Sequence, residues 1–248
     1  ATVSAQFVVM FVMMVGVFRS KKEENVLKGI RLFEPFSKEE LGNICKIGGP
    51  TAIQGMVYCM ISMVLTRMVA AFGAEAIATQ RVGGQIESVS WNTADGFAAA
   101  LNAFVGQNYG AKKMDRVQKG YRISFWTVAI WGALIMLAFI IFPGPIAGVF
   151  FHEEKAMEIA ISYLIIIGFS EAFMCVELMT IGALSGLGKT KLCSVISITA
   201  TSMRIPLAMV LSRTSLGLDG IWWALTLTSV AKGIIFYLTF RYQMREKC

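Results

Sequence analysis

Long apolar segments recur along this chain and restrict its fold more than any other feature. We count seven of them, at about 1–18, 44–72, 77–107, 123–142, 159–184, 192–211 and 220–240. A mostly apolar run of roughly 18 or more residues crosses the hydrocarbon core of a bilayer as one α-helix. The chain is 56% hydrophobic and only 16% charged, which is unusual for a soluble domain. The sequence therefore predicts an all-α polytopic membrane protein that is embedded in the lipid bilayer.

The basic residues alternate from one connection to the next. They are concentrated at 19–38, 112–122, 189–191 and 241–247, whereas the connections between these carry only Lys155 and Arg213. Cytoplasmic loops of membrane proteins carry such an excess of Lys and Arg. The net charge of +7 is thereby explained without nucleic acid as a partner. The pattern predicts a multi-pass membrane protein whose C-terminus is cytoplasmic.

The polar segments divide the chain into four parts. Residues 1–19 form one helix that stands alone, and residues 20–43 form a cytoplasmic amphipathic linker. Residues 44–242 form a six-helix transmembrane lobe, and residues 243–248 form a cytoplasmic tail. The chain begins inside its first span without a basic leader, so we expect that helix to belong to a lobe missing upstream. Pro206 is the expected site of a kink in the sixth span.

The third span has a polar face. At about 100° per residue, one arc of a helix collects six polar residues, and Trp91 and Glu87 extend this arc. Buried charges in membranes point away from hydrocarbon, so we expect the arc to face inward. It is either a structural network in which Arg81 satisfies the carboxylates or the wall of a cation-binding cavity. The six residues are Arg81, Gln85, Ser88, Asn92, Asp95 and Asn102.

Further polar candidates lie in other spans. Glu171 and Glu177 are six residues apart in the fifth span, so they point about 120° away from each other. Arg204 and Lys232, in the sixth and seventh spans, are their possible partners. Gln54 and Tyr58, one turn apart in the second span, are either inward-facing ligands or packing hydrogen-bond partners. Trp91 either stacks on a cationic aromatic compound or packs between helices.

Signals of enzyme chemistry are weak. The segment ALSGLGKT (183–190) nearly matches a phosphate-binding loop, but its first residue is Ala and an apolar helix precedes it. His152 is the sole histidine, which is too few for the usual zinc sites. The five cysteines form no CxxC pair and are expected to pack in apolar surroundings. We therefore expect neither an enzyme nor a cofactor.

Several segments together resemble the MATE (multidrug and toxic compound extrusion) family of transporters. They are IGGPTAIQGM (47–56), GAEAIATQRVGGQIESVSWNTADGFAAALNAFVGQNYGAKKMDRVQKGYR (73–122), IGALSGLGKTKLCSVIS (181–197), RIPLAMVL (204–211) and GLDGIWWALTLTSVAKGI (217–234). The resemblance covers nearly all of 44–242. It implies a fold of twelve helices in two six-helix lobes around a central cavity, of which this chain is about half. It also implies export of organic cations and other amphipathic drugs in exchange for Na⁺ or H⁺.

One part of the sequence departs from the family pattern. Some members bind the coupling cation through an acid on helix seven and another on helix ten. Here the segment that resembles helix seven, 44–72, holds no Asp or Glu, and Gln54 and Tyr58 lie near the expected position. The resemblance therefore implies either a rearranged Na⁺ or H⁺ site at Glu87, Asp95 and Glu171, or a site in the missing N-terminal lobe.

Two other functions stay open. A lipid-linked oligosaccharide flippase of the same superfamily would need cationic residues to hold pyrophosphate; Arg81 and Arg204 permit this, whereas the acids of the third span oppose it. A non-transporting membrane scaffold would not need acids along a cavity-like face.

Overall fold

A computed structural model describes residues 2–19 and 37–245, and every regular element in these two ranges is an α-helix. The chain divides into two units, Ala1–Ile44 and Cys45–Cys248. The all-α prediction is confirmed. The helices are α1 (Thr2–Arg19), α2 (Lys38–Ala70), α3 (Ala74–Gly110), α4 (Met114–Ile141), α5 (Pro143–Gly148), α6 (Glu154–Gly186), α7 (Thr190–Ser202), α8 (Arg204–Leu211) and α9 (Leu218–Arg245).

All seven predicted spans coincide with helices, but length and apolar composition together identify fewer of these helices as membrane spans. Five stretches are long and apolar enough to cross a membrane: Gly48–Ala70 in α2, α4, α6, the run Thr190–Leu211 formed by α7 and α8, and α9. The apolar part of α1, Val3–Gly16, is shorter. Helix α3 has 37 residues, or about 56 Å at 1.5 Å per residue, which is more than the thickness of a bilayer core. Its polar face lowers its hydropathy, so its length and not its composition supports a span.

The sixth predicted span is broken in the middle. Helix α7 ends at Ser202 and α8 begins at Arg204, with Met203 as a turn between them. Proline has no N–H, so Pro206 leaves the carbonyl of Ser202 without its helical donor. The break therefore lies one turn before Pro206, where the kink was predicted.

Helix α2 begins within the predicted linker. Residues 20–36 of that linker lie outside the described residues, but its last part is helical from Lys38 onward. The Glu40 N–H lies 3.5 Å from the Ser37 hydroxyl, and Glu39 and Glu40 occupy the first turn. A Ser followed three residues later by Glu is a helix-start signature, and acidic side chains favour a helix N-terminus. These local signals explain why α2 starts before its apolar run at Ile44.

Helix α6 is the centre of the second unit and packs against α3, α4 and α9. Two glycines one turn apart, Gly182 and Gly186, bring its backbone close to α3. A Cβ at Gly182 would overlap the backbone of Ala98, and one at Gly186 would lie 2.6 Å from the carbonyl oxygen of Asn102. Small residues spaced by four allow this approach between membrane helices. The contact fixes which face of α3 is buried.

The structure describes four of the five cysteines, and Cys248 lies outside the described residues. Cys175 and Cys193 are buried in the apolar core, as predicted. The same prediction is wrong for Cys45 and Cys59, which are exposed on α2. Much of the surface of α2 is uncovered within this chain, because Ile53, Met56 and other apolar side chains along it are also exposed.

Candidate functional site

A cavity of about 480 Å³ opens within the second unit, between α2, α3, α6, α7, α8 and α9. Two acidic and two basic side chains line it together with hydroxyl, amide and apolar groups. Seven of the residues singled out from the sequence lie on its wall. They are Gln54, Tyr58, Glu87, Trp91, Glu177, Arg204 and Lys232.

Glu87 is the acidic residue that α3 contributes to the cavity, and it is only 6% exposed. The hydroxyl of Tyr163 on α6 donates a hydrogen bond to its carboxylate. The Tyr163 ring lies against α3 at Gly83, one helical turn before Glu87, where a Cβ would overlap the ring. The missing side chain at Gly83 thus positions the hydroxyl over the carboxylate.

A second carboxylate, Glu171, lies behind this pair and is 0% exposed. Among the described residues, neither of its carboxylate oxygens has a hydrogen-bond partner. Ser90, three residues after Glu87 on α3, has its hydroxyl 3.2 Å from the sulfur of Cys175, four residues after Glu171 on α6. The two carboxylates therefore lie at the same level of two helices that are in contact. The structure therefore brings two of the three predicted Na⁺ or H⁺ ligands, Glu87 and Glu171, into one buried cluster.

Glu177 belongs to a different part of the cavity. Lys232 on α9 donates from Nζ to its Oε1 over 2.7 Å, and both side chains are less than a tenth exposed. The second oxygen, Oε2, has no hydrogen-bond partner among the described residues. The prediction that Glu171 and Glu177 face different directions is confirmed, because the first meets α3 and the second meets α9.

Arg204 provides the other positive charge. It is the first residue of α8, and its guanidinium donates to two hydroxyls of α9, those of Thr228 at 3.1 Å and Ser229 at 2.9 Å. It lines the same cavity as Glu87 and Lys232. The start of α8 thus contributes a cation to the wall of this cavity.

The polar arc of α3 does not point into this lobe. Arg81, Gln85, Asn92, Asp95 and Asn102 are all exposed on the second unit. The arc is thus not buried within this lobe, so the prediction that it faces an interior stays a prediction; Arg81 forms no ion pair with a described carboxylate. The opposite face is rich in small residues such as Ala94 and Ala98, which pack closely on α6.

Glu87 is the exception because it lies at the extreme edge of the arc, beside that packed face. Asp95 is eight residues further along α3, about 12 Å from Glu87, and lies outside the lining of the cavity. Asn92 is outside the lining as well.

Sequence reasoning missed three hydroxyl groups that hold the charged residues: those of Tyr163, Thr228 and Ser229. Each lies in a long apolar helix, where a polar side chain needs a partner. Tyr163 is the sole tyrosine of α6, and its hydroxyl in an apolar helix was the sequence feature that could have indicated a buried hydrogen bond. Its partner could not be inferred from the sequence, since Glu87 lies 76 residues away.

Comparison with known proteins gives a consistent result. A family model described as MatE matches residues 50–210. The probable multidrug resistance protein NorM of Thermotoga maritima is 27% identical over 254 residues, which covers 99% of this chain and 53% of that protein. The multidrug export protein MepA of Staphylococcus aureus is 22% identical and is covered to 49%, with 90% of this chain aligned.

A solved structure agrees on the fold. The Vibrio cholerae MATE transporter VcmN in its bent form matches with a TM-score of 0.78 at 20% identity, over 90% of this chain and 50% of that one. The chain thus spans about half the length of the relatives it matches. Since the family model matches most of the second unit, the chain belongs to the MatE family.

Proposed function

We propose that this chain supplies a cation-exchange site to a secondary active antiporter that exports cationic or amphipathic compounds in exchange for Na⁺ or H⁺. The observation that carries the proposal is the buried pair of carboxylates, Glu87 and Glu171. Glu87 lines the cavity, whereas Glu171 lies behind it without a hydrogen-bond partner among the described residues.

The pair gives the exchange a physical basis. Two negative charges side by side in a medium of low dielectric constant cost free energy unless a cation neutralises them. A proton or Na⁺ can do so from one side of the membrane, and a cationic compound can do so through Glu87 from the cavity. Because both cations compete for the same charge, entry of one releases the other. Alternating access of the cavity to the two sides then converts this competition into export.

The cavity itself suits a small organic compound. Its volume of about 480 Å³ lies within the usual range for small-molecule sites, roughly 300–1,000 Å³. Trp91 lines it one turn after Glu87 and is 37% exposed, so its ring is available to a ligand. An aromatic face next to a carboxylate favours a cationic aromatic compound over a neutral one.

The exposed arc of α3 suggests what completes the site. Facing hydrocarbon, Asp95 and Arg81 would each cost several kcal/mol. We propose instead that the arc lines a water-filled cleft against a second, N-terminal lobe. In this arrangement Asp95 and Asn92 remain candidate ligands on the wall of the cleft, and a second lobe is the partner of this one.

The decisive test replaces Glu87 by Gln in the full-length protein, expressed in cells that lack their own drug pumps. Ethidium efflux is followed under an imposed Na⁺ or H⁺ gradient. We expect gradient-driven efflux from the wild type, loss of efflux with unchanged expression in Glu87→Gln, and normal efflux in Glu158→Gln. Glu158 is an exposed acid on α6 outside the cavity, so it controls for the loss of one negative charge. Normal efflux in Glu87→Gln would refute the role of this carboxylate.

A flippase for lipid-linked oligosaccharides is the second candidate, because Arg204 and Lys232 line the cavity. Lys232 is neutralised by Glu177, so among the described residues that line the cavity Arg204 is the cation left to hold a pyrophosphate. Absence of efflux under both gradients, with the protein present in the membrane, would favour this function. A scaffold without transport would tolerate neutral residues at Glu87 and Glu171 alike.

We also propose a plasma (inner) membrane location, where an exporter removes compounds from the cell. The C-terminus is cytoplasmic in this proposal, because the basic residues cluster in alternate connections. A reporter that is active only in the cytoplasm, fused after residue 248, tests this orientation. Activity is expected, and an inactive reporter on a folded protein would reverse the topology.

A further inference from the structure

A second pocket, of about 350 Å³, lies between the first three turns of α4 and the last three turns of α9. Three arginines line it, Arg122 from α4 and Arg241 and Arg245 from α9. None of its lining residues is acidic. The pocket shares no residue with the cavity that holds Glu87, so a ligand bound in it is independent of the proposed transport function.

Aromatic rings hold the pocket open. Helices α4 and α9 each pack chiefly on α6, and stacked rings bridge the space between them. Tyr121 and Phe240 stack with their centroids 3.6 Å apart, and Phe125 and Tyr237 meet at 5.1 Å. The Tyr121 hydroxyl is anchored 3.0 Å from that of Thr180 on α6. The floor of the pocket is therefore part of the packed core.

The charge of the pocket is uncompensated within the described residues. None of the three arginines pairs with a carboxylate among residues 2–19 and 37–245. Arg241 lies with its guanidinium carbon 5.8 Å from the centroid of the Tyr237 ring, a cation–π contact that favours its position at the pocket wall. Guanidinium groups match the geometry of phosphate oxygens and bind them bidentately. An anion that carries phosphate is thus the ligand that this wall favours.

The surroundings of the pocket place it at a membrane surface. Trp126 lies one turn after Arg122 and is 61% exposed, while Ile123 and Leu238 are 59% and 56% exposed. Both helices are apolar enough to cross a membrane. Tryptophan is enriched where the hydrocarbon meets the headgroups. The arginines therefore lie at headgroup level, next to apolar side chains that acyl chains can contact.

We propose that this pocket binds the phosphate-bearing headgroup of an anionic phospholipid. Free phosphate shares the chemistry that the arginines recognise, but it would gain nothing from the exposed apolar residues beside the pocket. A lipid satisfies both features at once.

The test measures lipid retention by native mass spectrometry of the detergent-solubilised full-length protein, titrated with phosphatidylglycerol or with zwitterionic phosphatidylethanolamine. The wild-type protein should retain phosphatidylglycerol in preference to phosphatidylethanolamine. Each basic side chain near an anionic lipid surface contributes about fivefold to binding, so three together contribute about a hundredfold. The variant Arg122→Gln/Arg241→Gln/Arg245→Gln should lose most of this preference.

A control variant removes the same charge from the same end of the protein. Lys112, Lys113 and Arg116 are exposed and lie outside the pocket lining. Their triple replacement by Gln should keep the preference. Equal losses in both triple variants would mean that only general surface charge attracts the lipid, and unchanged binding in the pocket variant would also overturn the proposal.

Two further measurements complete the test. Inorganic phosphate should fail to displace phosphatidylglycerol at millimolar concentration, and efficient displacement would assign the pocket to free phosphate instead. If the pocket variant does not accumulate in the membrane, the single substitution Arg241→Gln replaces it. An expected loss of about fivefold then supports the proposal, and no loss overturns it.

Discussion

Replacing one member of the buried ion pair Glu177–Lys232 by a neutral residue should destabilise the protein strongly, whereas replacing both should not. Their charged atoms lie 2.7 Å apart, and the side chains of Lys232 and Glu177 are 8% and 6% exposed. Glu177→Gln or Lys232→Met alone leaves one buried charge without its partner, at a cost of about 3–5 kcal/mol. The double variant buries no charge, so its free energy of unfolding should lie close to that of the wild type.

Thermal unfolding in detergent measures this difference. For a chain of this size, 1 kcal/mol corresponds to about 2–4 °C in Tm. Each single variant should therefore unfold between about 6 and 20 °C below the wild type, and the double variant within a few degrees of it. A double variant that is as unstable as the singles would refute the reasoning, because the loss would then come from packing and not from an unpaired charge.

Transport by the double variant then assigns the function of the pair. If Glu177 and Lys232 only neutralise each other, stability and efflux return together. If stability returns without efflux, Glu177 binds a transported cation at some stage of the cycle, and its unpartnered oxygen Oε2 is the atom available for it. Glu158→Gln, at an exposed position, serves as the control for both the Tm and the efflux measurement.

Three further variants test how the buried carboxylate is held and how the helices approach. Tyr163→Phe removes the donor to Glu87 and should cost about 1–3 kcal/mol of stability, measured as a lower Tm, with impaired efflux. Gly83→Ala should displace the same ring and reproduce the efflux defect of Tyr163→Phe; normal efflux would show that the ring contact does not position the hydroxyl. Gly182→Ala should destabilise by about 1–3 kcal/mol, because backbone atoms of α3 cannot yield to a new methyl group. Gly96→Ala is the control for both glycine variants, since its Cβ would meet no atom within 4 Å, and an equal loss there would refute the packing argument.

The helices could be predicted well from the sequence, because the features that form or end a helix lie within a few residues of each other. A run of apolar residues predicts a span wherever it occurs, and Pro206 interrupts its helix through a missing donor within the same turn. The relative directions of Glu171 and Glu177 follow from helical geometry alone. For the same reason, the seven cavity residues were recognisable as polar groups in apolar segments.

The orientation of α3 relative to α6 depends on contacts between distant segments, so the sequence alone did not determine it. Its polar arc and its small residues are both visible in the sequence, and either face is compatible with a helix in a membrane. The face of α3 that packs on α6 is determined by Gly182 and Gly186. These glycines leave room for the backbone of α3 at Ala98, and the larger side chains of the polar arc would not fit there. Asp95, on the polar arc, is therefore exposed on this lobe.

The sequence by itself thus determined that this chain is a membrane-embedded helical protein with ionisable groups inside its spans. Only the tertiary structure decided which of these groups meet. Glu87 accepts a hydrogen bond from Tyr163 and lies near Glu171, and Glu177 pairs with Lys232. These partners are separated by 55 to 84 residues along the chain. The physical reason is that periodicity acts over a few turns, whereas a partner in the interior is selected by close packing between helices that are distant in sequence.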